Sequence, residues 1–237
     1  MKILALDSSG LVASVAVAED DVLLAEYTVN YKKTHSQTLL PMLDEIAQMI
    51  ELDLHSVDAI AVAGGPGSFT GLRIGSATAK GLGLALEKPL VSVPTVDALA
   101  YNLFGCSSYI CPMMDARRSQ VYTGIYRFEG ESFLTVEPQM PLAVEELAAK
   151  LNGLDRDVVL LGDGVPVYRN ILDALLRVPH RYAPAHQNRQ RASAVAVLAM
   201  KYIGEGKTET AAQHRPDYLR LSQAERERAE RMQQNEN

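Results

Sequence analysis

The sequence predicts an α/β fold of two similar lobes, each with a mixed sheet flanked by helices. The order strand, strand, strand, helix, strand, helix occurs twice along the chain, which indicates an internal duplication. The first predicted strand of each copy ends at an aspartate, Asp7 in one and Asp115 in the other. The fourth strand of each copy ends at a glycine turn, Gly64-Gly65 and Gly162-Asp163-Gly164. The duplication lies in the order of the elements rather than in residue identity.

Apolar periodicity gives the individual elements. Short apolar runs bounded by turn residues are typical of strands, and apolar residues three or four apart are typical of helices. In the first copy these patterns predict strands at 3–6, 11–18, 22–29, 59–63 and 90–93, and helices at 36–50, 71–86 and 95–103. In the second copy they predict strands at 109–114, 121–128, 133–136 and 158–161, and helices at 144–151, 167–176 and 192–202.

These elements predict lobes at residues 1–104 and 105–220. We expect the helices after about residue 190 to pack back on the first lobe, because a helix must bury its apolar face against another element. Residues 221–237 form a charged, nearly apolar-free tail that we expect to be disordered.

Composition excludes several classes of function. The 237 residues are 47% hydrophobic with a formal net charge of −6, which argues against a chain that binds nucleic acid alone through a broad basic field. The N-terminus becomes polar too early for a signal peptide, and no apolar run approaches the roughly 20 residues of a membrane span. We therefore expect a cytoplasmic protein. Cys106 and Cys111 are either a pair or free buried thiols, and free thiols suit a reducing compartment.

The glycine turn and the predicted helix at 71–86 carry small residues every four positions: Gly67 in the turn, then Gly71, Gly75, Ala79 and Gly83. Each interior glycine costs a helix about 1 kcal/mol relative to alanine, so a close neighbour is expected to require them. Two interpretations stay open. The glycine turn and helix N-terminus can cradle a phosphate, or the small residues can let another backbone pack closely. The spacing fits neither a P-loop nor a dinucleotide fingerprint.

Candidate chemistry is sparse elsewhere. Asp7 and Asp115 can hold a metal or orient a nucleophile, or each can simply satisfy N–H groups of its own turn. The five histidines include no pair four residues apart, so no metal site is predicted from spacing. The residues by themselves therefore predict no catalytic side chain.

Several motifs together resemble one family. They are the N-terminal Ile-Leu-Ala-Leu-Asp-Ser-Ser and the segments Gly64–Gly75 (Gly-Gly-Pro-Gly-Ser-Phe-Thr-Gly-Leu-Arg-Ile-Gly), Val93-Pro94-Thr95, Met114-Asp115-Ala116-Arg117 and Pro216-Asp217-Tyr218-Leu219-Arg220. This set resembles the TsaB family of bacterial tRNA threonylcarbamoyladenosine biosynthesis proteins, over nearly the whole chain. The resemblance implies a duplicated actin-like / RNase H-like (ASKHA) fold, which agrees with the repeat.

The resemblance also implies a noncatalytic role. The family is similar to TsaD, the catalytic paralogue, which carries a His-x-x-x-His metal motif shortly after the strand that follows its glycine helix. The corresponding residues 93–100 contain no histidine. The implied function is therefore a partner of TsaD in threonylcarbamoyl transfer to the tRNA adenosine next to the anticodon. The resemblance implies no firmly bound cofactor or metal, and it leaves open whether ATP or ADP binds weakly in the complex.

The implied partners are TsaD as a heterodimer, the ATPase TsaE through that pair, a second copy when the chain is alone, and tRNA only indirectly. The first two helices are the implied partner surface, and the residues predicted to line it are Leu39, Leu43, Ile46, Gly71, Arg73, Gly75, Ala79 and Gly83. Candidate nucleotide or phosphate residues are Asp7, Gly65, Gly67 and Asp115. Two alternatives remain, an ATP-binding phosphotransferase or ATPase of the same fold and a glycoprotease-type metallopeptidase.

Overall fold

The computed structural model describes residues 1–31 and 35–219, which form two five-stranded sheets and six α-helices. The first half contains β1 (Lys2–Asp7), β2 (Ala13–Glu19), β3 (Val22–Val29), α1 (His35–Met49), β4 (Ala59–Gly65), α2 (Phe69–Leu86), β5 (Leu90–Pro94) and α3 (Thr95–Tyr101). The second half contains β6 (Tyr109–Asp115), β7 (Gln120–Glu129), β8 (Ser132–Ala143), α4 (Val144–Leu151), β9 (Val158–Leu161), α5 (Gly164–Leu175), β10 (His180–Tyr182) and α6 (Ala192–Gly204).

The first sheet has the strand order β3-β2-β1-β4-β5. The meander β1 to β3 is antiparallel, whereas β1, β4 and β5 run parallel. Side chains of β1 alternate between two cores: Ile3 and Ala5 face α6, and Leu4 and Leu6 face α1. Because both faces of the strand are covered, it reads as a continuous apolar run rather than as an alternating one.

The second sheet repeats this arrangement with the order β10-β9-β6-β7-β8. Helices α4 and α5 pack on one face around Leu147 and Leu172. The other face meets α3, where Val96 and Leu99 pack against Ile110. Helix α3 therefore joins the two sheets, and α6 returns to pack on β1 and β2 of the first sheet.

The predicted duplicated α/β fold is confirmed, with three differences in its elements. Strand β8 runs to Ala143, well past the predicted 133–136, and contains Pro138 and Pro141. It lies at the edge of its sheet, the position where a strand tolerates prolines. The three-residue strand β10 was not predicted, because its pairing with β9 is not visible in local sequence. Helix α5 begins at Gly164, three residues before its predicted start.

Cys106 and Cys111 are both free thiols. Within residues 1–31 and 35–219, no helix is long and apolar enough to cross a membrane. The predicted disordered tail at 221–237 lies outside the residues that the structure describes.

Candidate docking surface at the glycine helix

Helix α2 begins directly after a glycine turn at the end of β4. Gly65 has a φ of 120°, a conformation that residues with a Cβ rarely adopt. The Ser68 hydroxyl accepts a hydrogen bond from the Gly71 N–H at 3.3 Å and so caps the helix. Glu87, in the left-handed conformation, ends it. The predicted order of strand, turn and helix is present, with the helix starting at Phe69.

The glycines on one side of α2 lie against the chain's own β1–β2 turn. A Cβ at Gly71 would lie 2.1 Å from the Ser8 carbonyl oxygen, and one at Gly67 would lie 2.2 Å from the Ser9 carbonyl oxygen. A Cβ at Gly75 would lie 2.5 Å from the Ser8 hydroxyl, which donates to the Gly71 carbonyl. Side chains cannot fit at these separations, so the close-packing interpretation describes this row of glycines.

Two N–H groups of the glycine turn have acceptors within the chain. The Ser68 N–H donates to the Ser9 carbonyl at 2.6 Å, and the Gly65 N–H donates to the Thr95 hydroxyl at 3.1 Å. A phosphate cradle requires such groups to be free. The chain's own oxygens thus lie against the glycine turn, and the assignment of Gly65 and Gly67 as phosphate-binding residues stays a prediction.

Most of the predicted partner-binding residues are buried inside the chain. Leu39, Leu43 and Ile46 are at most 4% exposed and pack in the core between α1 and the first sheet. The small residues of the ridge are also buried: Gly71, Gly75, Ala79 and Gly83. Of the eight predicted residues only Arg73 is exposed. The prediction is corrected for the other seven, because the amphipathic stripes that suggested a docking face pack on the chain's own sheet.

A different set of side chains faces outward on the two helices. On α1, Leu40 is 53% and Met49 is 79% exposed, and on α2 Leu84 is 68% exposed. Ala77 is exposed as well, and a Cβ at Gly81 would meet nothing within 4 Å. Arg73, Ala77, Gly81 and Leu84 are spaced at four, four and three residues, so they share one side of α2. An exposed stripe of apolar and small residues marks a surface that a partner can bury. We call these four residues the docking face.

The two helices carry opposite charges. Helix α2 contains Arg73 and Lys80 but no aspartate or glutamate. Helix α1 contains Asp44 and Glu45 but no lysine or arginine. A partner that matches both helices therefore presents acidic groups to α2 and basic groups to α1.

The segment that follows α6 crosses the glycine turn, and we call residues 207–219 the C-terminal strap. Glu209 exchanges two backbone hydrogen bonds with Leu90 at the edge of β5. Farther along, the Asp217 N–H donates to the Gly64 carbonyl at 2.7 Å. A Cβ at Gly65 would lie 2.2 Å from the Asp217 carbonyl oxygen. The strap is thus the second backbone segment, after the β1–β2 turn, that packs closely against the glycines.

The strap brings two of the sequence motifs into contact. The ring of Tyr218 lies 4.7 Å from that of Phe69, centroid to centroid, and the Arg73 guanidinium lies 4.1 Å from the Phe69 centroid. Sequence reasoning singled out both segments but did not predict that they meet. Their separation along the chain hides a contact that only the path of the strap creates.

Asp7 is fully buried at the end of β1. One carboxylate oxygen accepts hydrogen bonds from the Ser9 N–H at 2.9 Å and the Ser9 hydroxyl at 2.6 Å. The other, Oδ2, is buried and has no hydrogen-bond partner among the described residues. Burial raises the pKa of Asp7 to about 6, although the hydrogen bonds from Ser9 and the proximity of His35 oppose the rise. Asp7 therefore accepts hydrogen bonds within its own turn through Oδ1, and its Oδ2 has no partner among the described residues.

Asp115, its counterpart, lies in more open surroundings at the end of β6. Its Oδ1 accepts hydrogen bonds from the Tyr168 hydroxyl and the Arg117 N–H, each at 2.9 Å, and its other oxygen pairs with the Arg117 guanidinium at 3.3 Å. Burial, followed by the hydrogen bond to Asp115, raises the pKa of Tyr168 to about 12. The Asp115 N–H donates to the Asp163 carboxylate at 3.1 Å. All these groups come from the second lobe, so the structure keeps Asp7 and Asp115 in separate networks.

A buried carboxylate that sequence reasoning missed holds α6 in place. Glu26 of β3 pairs with the Arg191 guanidinium and accepts the Ser193 N–H at 3.1 Å and hydroxyl at 2.8 Å. Burial alone would raise the pKa of Glu26, but these hydrogen bonds outweigh it and hold the pKa below its ordinary value. The Ser14 hydroxyl accepts the Ala192 N–H at 2.9 Å. The first N–H groups of α6 are thus capped by the first sheet.

The region compared with the TsaD metal motif is structural here. Thr95 accepts the Gly65 N–H, and Asp97 accepts hydrogen bonds from the hydroxyls of Tyr126 at 2.7 Å and Tyr202 at 3.2 Å. Within the two described ranges, no three His, Cys, Asp or Glu side chains form a group that could hold a metal ion.

Known proteins resemble this chain over nearly its whole length. The family model described as TsaD: tRNA N6-adenosine threonylcarbamoyltransferase matches residues 22–228. A Bacillus subtilis protein named tRNA threonylcarbamoyladenosine biosynthesis protein TsaB is 33% identical over 228 residues, which cover 95% of this chain and 96% of the relative. The chain belongs to the TsaB family. An Escherichia coli TsaB of the same name is 30% identical, covering 93% of this chain and 95% of its own.

Solved structures agree with this TsaB-family membership. An uncharacterized Pseudomonas aeruginosa protein described as similar to peptidase YEAZ superimposes with a TM-score of 0.79 at 28% identity, covering 92% of this chain and 99% of that one. Component A of the Acidaminococcus fermentans (R)-2-hydroxyglutaryl-CoA dehydratase superimposes with a TM-score of 0.50 at 12% identity, covering 86% and 99%. The second likeness shows a shared fold alone, and the chain has the duplicated actin-like architecture that the TsaB motifs implied.

Proposed function

We propose that this chain is a noncatalytic subunit that binds a TsaD-type transferase and activates threonylcarbamoyl transfer to the tRNA adenosine next to the anticodon. TsaB-family membership supports the pathway, and the docking face supports the mode of action. The observation that carries the proposal is that α1 and α2 bury their glycine and leucine stripes inside the chain, yet α2 still exposes Ala77, Gly81 and Leu84 on one side.

The docking face suits close helix packing. Ala77 and Gly81 add little bulk on the outer side of α2, so a partner helix can approach closely and bury Leu84 beside them. A stable interface of this kind removes about 1,600 Å² from water. Together with the TsaD-type subunit, the chain recruits the ATPase TsaE. Without that subunit, the docking face binds a second copy of this chain.

The transferase subunit supplies most contacts to tRNA in this proposal. The formal net charge of −6 disfavours a large phosphate-neutralising surface on this chain. Any ATP or ADP is held in the complex rather than by this chain alone.

Copurification with TsaD, followed by a modification assay on unmodified tRNA with and without this chain, tests the proposal. We expect stable coelution and a modified-nucleoside yield, measured by mass spectrometry, that depends on this chain. Replacing Ala77 by Glu should raise the Kd for TsaD by at least about tenfold, because a charge would be buried in the interface.

Ala149→Glu on α4 is the matched control, since it places the same charge on an exposed alanine of the other lobe. We expect it to leave the Kd unchanged. Equal coelution of wild type, Ala77→Glu and Ala149→Glu would contradict the assigned face, and full modification without this chain would contradict the activating role.

One observation favours a second candidate function, an ATPase or phosphotransferase centred on Asp7. The carboxylate oxygen Oδ2 is buried without a hydrogen-bond partner among the described residues, at the strand end where the fold places catalytic groups. Saturable ATP turnover by the isolated chain that disappears in Asp7→Asn would support this function, and equal turnover by both proteins would exclude it.

A further inference from the structure

The side chain of Arg73 is held in position by an aromatic ring rather than by an ion pair. Its guanidinium lies over Phe69, which is itself packed against Tyr218 of the C-terminal strap. Stacking on a ring fixes the plane of a guanidinium while leaving its N–H donors at the edge available. The strap therefore helps to fix the position of the Arg73 side chain, because Tyr218 packs against Phe69.

Arg73 has no acceptor within the described chain. Arg117, Arg181 and Arg191 each form an ion pair with a carboxylate. In residues 1–31 and 35–219, Arg73 has neither an ion pair nor a hydrogen bond from its guanidinium, and its side chain is exposed. A preordered guanidinium with free donors matches a planar anion such as a carboxylate.

The surroundings of Arg73 favour a single protein carboxylate over an RNA backbone. The Lys80 ammonium donates to the His214 carbonyl at 3.3 Å, and the Arg215 guanidinium donates to the carbonyls of Ala212 and His214. Both positively charged groups thus donate to carbonyl oxygens of the strap. Binding of an RNA backbone requires several phosphates to be neutralised together, whereas one free guanidinium beside exposed apolar residues matches one carboxylate in a protein interface.

We propose that Arg73, ordered by Phe69 and Tyr218, binds a carboxylate of the TsaD-type partner and sets the register of the complex. This inference rests on the proposed function and deepens it, because it assigns the charged anchor of the docking face. It also gives the strap a role: Tyr218 is a positioning residue that acts on the partner through Phe69 and Arg73. Helix α2, which lacks any acidic residue, leaves Arg73 free for that carboxylate.

The test measures the Kd of the full-length chain for TsaD at low and high salt. Arg73→Ala should weaken binding by about ten- to a hundredfold and flatten its salt dependence, since the interface would lose a charge pair. Arg73→Lys should recover only part of the loss, because lysine neither stacks as well nor donates in a fork. Tyr218→Ala should cost a smaller factor, about threefold, and should add little in the Arg73→Ala background.

Arg156→Ala is the matched control, because Arg156 is exposed on the other lobe. Unchanged melting temperatures would show that the exposed substitutions leave the fold intact. Wild-type affinity in Arg73→Ala, or a loss confined to tRNA binding or to self-association, would overturn this inference alone. Failure of the unaltered chain to bind TsaD would overturn both this inference and the proposed function.

Discussion

The two lobes repeat one architecture but differ at the ends of their first strands. In the first lobe Asp7 is fully buried, and the turn after β4 is filled by the Ser8 and Ser9 carbonyls and by the strap. In the second lobe the Asp115 side chain is 12% exposed and is surrounded by donors from its own lobe. Backbone fills the glycine turn in both lobes, since a Cβ at Gly162 would lie 2.1 Å from the Met113 carbonyl oxygen. The comparison teaches that a duplicated fold can bury one of its two equivalent strand-end carboxylates and leave the other partly exposed. In the first lobe the glycine helix uses its inner side for packing on the chain, and its outer side is exposed.

The close packing of the first lobe is tested most directly at Gly71. Gly71→Ala should lower the free energy of unfolding by about 3 kcal/mol, because the new Cβ would lie 2.1 Å from a backbone carbonyl that cannot move aside alone. Urea denaturation followed by circular dichroism measures the change.

Gly81→Ala is the matched control on the same helix. Its Cβ would meet nothing within 4 Å, so the substitution should stabilise the protein by about 1 kcal/mol through helix propensity. Gly164→Ala provides the comparison with the other lobe: its Cβ would lie 3.0 Å from the Met113 carbonyl, so its cost should fall between the two. Equal effects at Gly71 and Gly81 would contradict the close packing of the first lobe.

Ionisation of Asp7 should make the protein less stable as pH rises. Its folded pKa, about 6, lies above its ordinary value of 3.8, so ionisation opposes folding. The stability lost is small below pH 4, grows between pH 4 and 6, and is constant above pH 6. Asp7→Asn should therefore raise the free energy of unfolding by up to about 3 kcal/mol at pH 7 and by little at pH 4.

Asp115→Asn is the second-lobe comparison. We expect no comparable gain at pH 7, because Asp115 accepts a hydrogen bond from Tyr168 and pairs with the Arg117 guanidinium, and asparagine would lose that ion pair. Urea titrations of the three proteins at pH 4 and pH 7 measure the difference. If the Asp7→Asn protein is no more stable than wild type at pH 7, burial does not raise the pKa of Asp7.

Glu26 should show the opposite pH dependence, since its pKa is lowered on folding. Its contribution is present above the ordinary pKa of 4.5 and is lost as pH falls through the lower folded value. Glu26→Gln should cost about 2 kcal/mol at pH 7, because Arg191 and Ser193 lose a charged acceptor. The difference from wild type should shrink below pH 4. Thermal unfolding across pH 3 to 7 tests this, with Glu129→Gln as a control on an exposed ion pair.

Local patterns were sufficient for most of the elements. The apolar run 59–63 and the helical spacing after it predicted β4 and α2 to within a few residues. The same patterns predicted which residues of α1 form its buried apolar face, but not which part of the molecule packs against that face. An amphipathic stripe predicts that a helix buries one face. It does not predict whether that face packs on the chain's own sheet or on a partner. That is why seven of the eight predicted contact residues lie inside the molecule.

Contacts between distant segments left no local pattern to interpret. Glu26 looks like an ordinary charge in a surface strand until Arg191 and Ser193 are brought to it. Tyr218 and Phe69 belong to two motifs that are far apart in the sequence. Each pair depends on where α6 and the strap run after the second lobe is complete.

The sequence by itself determined the duplicated order of elements, the glycine turn and the family, because these follow from short-range periodicity and from motifs of fixed spacing. Only the tertiary structure decided which side of α2 faces the solvent and which oxygens fill the glycine turn. Those choices depend on contacts between residues far apart in the chain, Ser8 and Ser9 with the glycines of α2 and its turn and Asp217 with Gly65, which no local sequence pattern contains.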